Sequence, residues 1–190
     1  MTAPDAVVKV GGSLLDWPGL PARLADYLES RRGDRLVLIV GCGKFADTLR
    51  DLDARHALGE EASHGLALRL LGLTAHVLAA IVPGLIVVDD IEAIDHAWSI
   101  GRVPILAPRR FLDDDDRSPD PLPHAWSTTT DAIAARLASR LGASELALLK
   151  SVDRPEGIGW SEAARLGIVD PEFERVAAGL RLVTFRNLRR

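Results

Sequence analysis

Val7-Val8-Lys9-Val10-Gly11-Gly12-Ser13-Leu14-Leu15 is the stretch on which the reading of this 190-residue chain turns. Its first half is an apolar, β-branched run with the look of a strand buried on both faces, and such strands seldom hold a charge without a partner. Its second half offers bare backbone at Gly11-Gly12, free to turn sharply and to bring N–H groups close to a ligand. Two readings fit. Either a lysine beside such a loop holds a phosphate, or Lys9 snorkels from an edge strand and the glycines only make a turn.

Outward from this stretch, apolar β-rich runs recur at residues 6–10, 35–40, 85–88, 103–106, 145–149 and 181–185. Between them lie helical patterns at 19–32, 43–56, 60–82, 90–100, 129–141 and 172–178. Strand and helix alternating in this way predict an α/β protein with a mainly parallel sheet covered on both faces. Pro18 marks a helix start, and Arg31-Arg32-Gly33 a charged end with a glycine stop. Residues 108–123, PRRFLDDDDRSPDPLP, are rich in proline and aspartate and read as a loop, the one plausible boundary between two lobes. Its run from Asp113 to Asp116 reads as solvated surface in preference to a metal site.

Composition narrows the function. A content of 47% hydrophobic and 26% charged residues is ordinary for a soluble globular protein, and the length suits one domain with a sizeable core. The formal net charge of −4 argues against a general nucleic-acid binder. One cysteine, Cys42, leaves no internal disulfide and no cysteine-cluster zinc site, so a reducing cytoplasm is the expected location. The start MTAPDAVVKV has neither a basic region nor a long apolar core, so no signal peptide is expected. Leu70 to Val88 has the length of a membrane span, with His76 as its only ionisable group. Pro83-Gly84 interrupts it, however, and a buried helix followed by a buried strand is expected in place of a membrane partner.

A second glycine turn, Val40-Gly41-Cys42-Gly43-Lys44-Phe45-Ala46-Asp47, runs from a predicted strand straight into a helix. Each turn puts N–H groups and the positive end of a helix dipole at a strand's carboxyl end, where α/β folds bind anions. A P-loop fails, because Phe45 follows Lys44 and no glycine stands five residues before Gly43. Gly41-x-Gly43-x-x-Ala46 is nearer to an NAD(P) fingerprint, but Glu60 and Glu61, at the distance of its acidic residue, begin a leucine-rich helix and do not end a strand. A third reading joins more residues. Of 23 basic side chains only Lys9, Lys44 and Lys150 are lysine. A chain that otherwise chooses arginine keeps lysine where a compact point charge is needed. All three would converge on the carboxyl edge of the sheet, unless Lys44 or Lys150 is merely surface.

Lys9-x-Gly11-Gly12-Ser13, the turn Gly41-Cys42-Gly43, and Trp126-Ser127-Thr128-Thr129-Thr130-Asp131-Ala132-Ile133-Ala134 together resemble the three signatures of the amino acid kinase family. Acetylglutamate, aspartate, uridylate and isopentenyl phosphate kinases belong to it. Within the family, Gly43-x-Phe45-Ala46-Asp47, Leu122-Pro123-His124-Ala125-Trp126 and Val169-Asp170-Pro171-x-Phe173 look most similar to the small archaeal-type kinases of methanofuran biosynthesis, whose acceptor is an aminomethylfuran phosphate. The resemblance implies a three-layer αβα sandwich over residues 1–190. Residues 1–107 would bind the acceptor, 108–123 would connect, and 124–190 would form a shortened nucleotide-binding half. It implies ATP and Mg²⁺ as cofactors, a small phosphate- or carboxylate-bearing acceptor, and a homodimer paired partly through the helix at 60–82.

Roles follow from the same resemblance. Lys9 would neutralise the transferring phosphoryl group, with Gly11, Gly12 and Gly43 donating backbone N–H to it and Ser13, Gly41 and Thr130 completing the nucleotide-phosphate set. Asp131 would orient the lysines, or else serve as an ordinary helix cap. Asp153 would lie near the nucleotide. Asp47, Arg50 and His64 would meet the acceptor, a carboxylate facing its amine and an arginine its phosphate. Two departures stand out. Cys42 replaces the middle glycine of the second turn, and no lysine follows Lys150, where many relatives carry a late catalytic lysine. Either Lys150 takes that role, or Arg154 or magnesium compensates, or the chain is a weak relative acting as a nucleotide or metabolite sensor.

Overall fold

In the computed structural model, which describes residues 2–190, the opening stretch forms β1 (Ala6–Val10). It lies inside a six-stranded sheet of order β3-β4-β2-β1-β5-β6. The other strands are β2 (Leu36–Val40), β3 (Leu85–Val88), β4 (Val103–Leu106), β5 (Glu145–Lys150) and β6 (Val183–Asn187). Every pairing is parallel. The helices are α1 (Leu20–Ser30), α2 (Lys44–His56), α3 (Glu60–Ile81), α4 (Ile94–Ser99), α5 (Arg109–Asp115), α6 (Thr130–Leu141), α7 (Trp160–Arg165) and α8 (Phe173–Ala177). From β1 the sheet grows to one side through β2, β4 and β3, and to the other through β5 and β6. The order reverses between β1 and β5, the place where open α/β sheets gather ligands beyond the carboxyl ends of their strands.

Strand alternation assigns each side chain of β1 to a face. Ala6, Val8 and Val10 enter a core with Leu20, Leu24 and Tyr27 of α1 and Ala75 and Leu78 of α3. Val7 enters the other core with Val37, Ile39, Leu146 and Leu148, beneath Ala134, Ala135 and Ala138 of α6. Lys9 shares the parity of Val7 and aligns with Ile39 on β2 and Leu148 on β5. Lys150, two residues beyond Leu148, shares that parity. The pleat alone therefore turns both lysines toward α6 at the end of the sheet where the strands finish. The alanines let α6 approach the sheet closely, which a row of larger residues would prevent.

The sheet is parallel throughout, as the alternation of strand and helix predicts. Two sequence expectations need adjustment. The segment 108–123 is not all loop, because α5 forms from Arg109 to Asp115, where no proline interrupts and Arg109 Nε donates to Asp113 Oδ1 at 2.8 Å one turn on. The acidic run is not all solvated either. Asp115 is buried, accepts the Leu122 backbone N–H at 3.1 Å and lies 3.6 Å from Arg136.

α3 is the one helix among the described residues long and apolar enough to cross a membrane, and 28% of its most apolar window is buried. Its Ala75 and Leu78 pack in the core, whereas Leu66, Leu73 and Ile81 stay exposed. β3 follows it directly, as the helix-then-strand reading of that apolar stretch expects.

Candidate active site

Two glycine turns meet beyond the ends of β1 and β2. A side-chain carbon on Gly12 would lie 2.1 Å from the backbone nitrogen of Gly43, and one on Gly43 would lie 2.5 Å from the Gly12 carbonyl oxygen. Gly43 also has a positive φ of 57°. The glycines thus allow two backbones to touch, a packing reason that stands beside any ligand. The N–H of Gly11 is bonded to the Leu149 carbonyl at 2.8 Å, and that of Gly41 to the Val10 carbonyl at 3.0 Å. Gly11 therefore cannot donate to a phosphate as expected, and Gly12 and Gly43 remain as donors.

Beside these turns opens a cavity of about 380 Å³ lined by Lys9, Gly12, Ser13, Gly41, Gly43, Arg50, His64, Thr130, Asp131 and Lys150 among others. Its polar centre is a carboxylate between two ammonium groups. Lys9 Nζ lies 2.9 Å from Asp131 Oδ1, an ion pair without the angle of a directed hydrogen bond. Lys150 Nζ donates to Asp131 Oδ2 at 2.7 Å. Lys9, Asp131 and Lys150 are all buried. Lys9 is on an interior strand, so it does not snorkel from an edge. Asp131 is the second residue of α6, behind Thr129 at the N-cap position, so it is not the helix cap.

The electrostatics follow from this burial. Burial pushes the Asp131 carboxyl upward, but Lys9 and Lys150 outweigh it and hold it below the usual carboxylate range. Burial, with repulsion from Lys9, lowers Lys150 to about 8 against the pull of Asp131. Lys9, Lys150 and Asp131 by themselves sum to one positive charge beside two bare-backbone turns, a setting suited to an anion that has shed its water.

The wall over the first half of the sheet is apolar with a few polar groups. Ala46, Ala67, Leu68, Leu71, Ile133 and the Trp126 indole form its surface, and Arg50, Glu60 and His64 interrupt it. The Arg50 guanidinium stacks 4.8 Å above the Trp126 ring, whose Nε1 donates to Asp53 Oδ2 at 3.0 Å. The His64 and His124 rings stack at 4.2 Å, and His124 is gripped at both nitrogens by Glu61 and Asp116. Burial and the neighbouring His124 lower the pKa of His64, while the two carboxylates raise that of His124. Cys42 lines the cavity with its thiol pushed up to about 12 by burial, so it is held as a neutral S–H.

Other expected residues are elsewhere. Lys44 is exposed and pairs with Asp16 at 3.4 Å, so two of the three lysines converge, not three. Asp47 is outside the cavity lining and holds Arg50 from behind at 3.1 Å. Asp153 is exposed, bonded to Asn187 and Arg190. The sequence reading missed three groups. Glu60 and Trp126 line the cavity, and Asp170 binds the start of α6, accepting from Thr129 N, Thr129 Oγ1 and Ala132 N at 3.0, 2.8 and 2.9 Å. Trp126 and Asp170 were visible within motifs but carried no role there. In the sequence Glu60 is marked only by its distance from Gly41-x-Gly43-x-x-Ala46.

The amino acid kinase family model matches residues 6–154. The chain is 29% identical over 154 residues to the [5-(aminomethyl)furan-3-yl]methyl phosphate kinase of Methanocaldococcus jannaschii, with 77% of this chain and 66% of that protein covered. The chain thus spans just under two thirds of that relative. Among solved structures, the uridylate kinase of Archaeoglobus fulgidus is similar with a TM-score of 0.69 and 18% identity, covering 97% of this chain and 92% of that one. The UMP kinase of Ureaplasma parvum gives 0.66 and 14%, covering 97% and 90%. At these identities the two structures speak to the fold.

Proposed function

The chain belongs to the amino acid kinase family, and from that premise we propose that it is a phosphotransferase moving a phosphoryl group from ATP to a small acceptor bearing a phosphate or carboxylate. One observation carries this reading: a single buried carboxylate, Asp131, holds Lys9 and Lys150 at 2.9 and 2.7 Å at the topological switch point. Phosphoryl transfer needs little covalent help from the protein. It needs charge neutralised and reactants aligned. Lys9 and Lys150 would face the transferring group, Asp131 would fix both, and the Gly12 and Gly43 N–H groups would meet its oxygens. Lys150 then supplies from a strand end the second cation that many relatives supply late in the chain.

Among the described residues no group of three His, Cys, Asp or Glu side chains could hold a metal. Asp131 is already matched by two ammonium groups. The residues therefore fit magnesium that arrives with nucleotide phosphates, the usual mode for this ion, and do not form a cage of their own. Bound there, magnesium would neutralise nucleotide phosphate charge.

The acceptor would lie against Trp126, with Arg50 meeting its anionic group and Glu60 an amine. An aminomethylfuran phosphate has a flat ring, an amine and a phosphate, and it suits that wall. Residues 1–107 would then form the acceptor half and 124–190 the nucleotide half. Two copies would pair through the exposed Leu66, Leu73 and Ile81 of α3. A strict monomer by light scattering at micromolar concentration removes the pairing.

ADP release measured with MgATP and [5-(aminomethyl)furan-3-yl]methyl phosphate, beside UMP and small carboxylic acids, tests the function. Turnover is expected with the furan phosphate. Calorimetric binding of a non-hydrolysable ATP analogue with no turnover on any acceptor would instead leave a nucleotide sensor.

A further inference from the structure

The family match ends at residue 154, yet Lys150 is reached from a segment beyond it. Lys150 Nζ donates to the Ile168 carbonyl at 2.8 Å as well as to Asp131. Gly167 lines the cavity. Two residues past Ile168, the buried Asp170 turns one carboxylate oxygen to the first turn of α6, where it accepts three hydrogen bonds from Thr129 and Ala132, 41 and 38 positions away. Its other oxygen has no hydrogen-bond partner among the described residues.

We infer that Asp170 is a positioning residue for phosphoryl transfer: the segment from Gly167 to Asp170 grips Lys150 and the start of α6 together, and so fixes Asp131 between the two lysines. The inference rests on the kinase reading of that centre. A helix start needs a cap, but Thr129 at the N-cap position has a hydroxyl of its own. That hydroxyl makes no cap bond and instead donates to Asp170. Burying a carboxylate is a costly way to do what a threonine does without charge. The cost is reasonable if the position of α6 must be set from outside the helix, by the same segment that holds Lys150. Asp131 is one residue past the start of α6, so a shift of that turn moves its carboxylate directly. Lys9, Lys150, Asp131 and Asp170 also make two positive and two negative groups in one buried cluster, so removing Asp170 changes its balance.

Two variants separate positioning from simple capping. In Asp170→Asn the amide oxygen can accept the same three bonds, and in Asp170→Ala nothing can. With MgATP and [5-(aminomethyl)furan-3-yl]methyl phosphate, Asp170→Ala is expected to lower kcat by about 10- to 100-fold, the range for losing an outer partner that orients a reacting group. KM for ATP should change less than about threefold, and Asp170→Asn should recover most of kcat. A second measurement needs no turnover: the Lys150 Nζ titration, followed by NMR on the intact protein, should move in Asp170→Ala. If wild type turns over no acceptor but this titration moves further in Asp170→Ala than in Asp170→Asn, which loses the same charge, the geometric coupling stands and the kinase reading falls. If folded Asp170→Ala keeps wild-type kcat and an unmoved Lys150 titration, Asp170 is only a cap and the inference is overturned.

Discussion

Replacing Asp131 by asparagine changes one atom in kind and almost nothing in volume, so its effect isolates the charge between Lys9 and Lys150. Those ammonium groups lie 2.9 and 2.7 Å from the same carboxylate, with side chains 6% and 11% exposed. Without that charge the two ammonium groups repel unopposed, and two unit charges about 4 Å apart repel by about 4 kcal/mol at an effective dielectric of about 20, less in proportion as they stand farther apart. Breaking a buried ion pair from one side costs about 3–5 kcal/mol. The variant should unfold about 6–20 °C below wild type, at about 2–4 °C per kcal/mol for a chain of this size. The alkaline limb of the rate profile gives a sharper readout. Lys150 is lowered to about 8 even with Asp131 present. It neutralises phosphoryl charge only when protonated, so kcat/KM should be level below that pH and fall above it. Without Asp131 the Lys9 repulsion is unopposed, and the fall should move to lower pH. ADP-release rates from pH 6 to 10, beside thermal unfolding, measure both effects. An Asp131→Asn protein with wild-type stability and an alkaline limb still near pH 8 would refute this account of the centre.

The other predictions concern the opening stretch. Lys9→Ala should reduce turnover by about 10²–10³-fold, the range for one preorganised electrostatic group, and Lys9→Arg should not restore it because the planar guanidinium does not replace a point charge. Lys44→Ala, at a lysine exposed beside Asp16, should stay within about twofold in the same assay. Gly12→Ala should lower the urea midpoint severely or prevent folding, since its methyl would lie 2.1 Å from a backbone nitrogen that cannot move aside. Such overpacking costs at least about 1–3 kcal/mol. A soluble Gly12→Ala protein of wild-type stability would show that the turns do not press on one another.

The fold was legible because its signals are local. Each β-branched run became a strand, and the parity of Val7, Lys9, Leu148 and Lys150 follows from the pleat once the register is known. What escaped were short helices near prolines. Pro108 precedes α5 and Pro119, Pro121 and Pro123 follow it, so they bound the helix without breaking it, while composition averaged over 108–123 suggested loop throughout. α7 has six residues, too few to display a helical period. Asp115 shows a further limit. A run of aspartates looks solvated until one of them accepts the Leu122 N–H and meets Arg136.

The candidate site was legible at the ends of strands and illegible on helix faces, and the reason is geometric. In a parallel sheet the residue after each strand goes to one common edge, so Lys9, the glycine turns and Lys150 could be gathered without knowing any side-chain direction. A helix offers no such guarantee. On α2, Ala46 and Arg50 are one turn apart and line the cavity, whereas Asp47, one residue along, falls outside and braces Arg50 from there. Choosing Glu60 over Asp47 for the acceptor's amine requires knowing how α2 and α3 are rotated, and packing sets that rotation. Asp170 is harder still, because its partners are 38 and 41 residues away and no spacing rule spans that distance. What marks it physically is an expense: a buried carboxylate whose pKa is pushed up to about 6 by burial and by Asp131, against the pull of three hydrogen bonds. Protonation of that group in the folded state above its unfolded value means that stability should fall, not rise, as pH increases from about 4 to about 6. Asp170→Asn, which cannot titrate there, should abolish that slope in urea unfolding. If the slope persists unchanged in Asp170→Asn, the strain belongs to another group, and the reasoning that picks out Asp170 by its electrostatic cost fails.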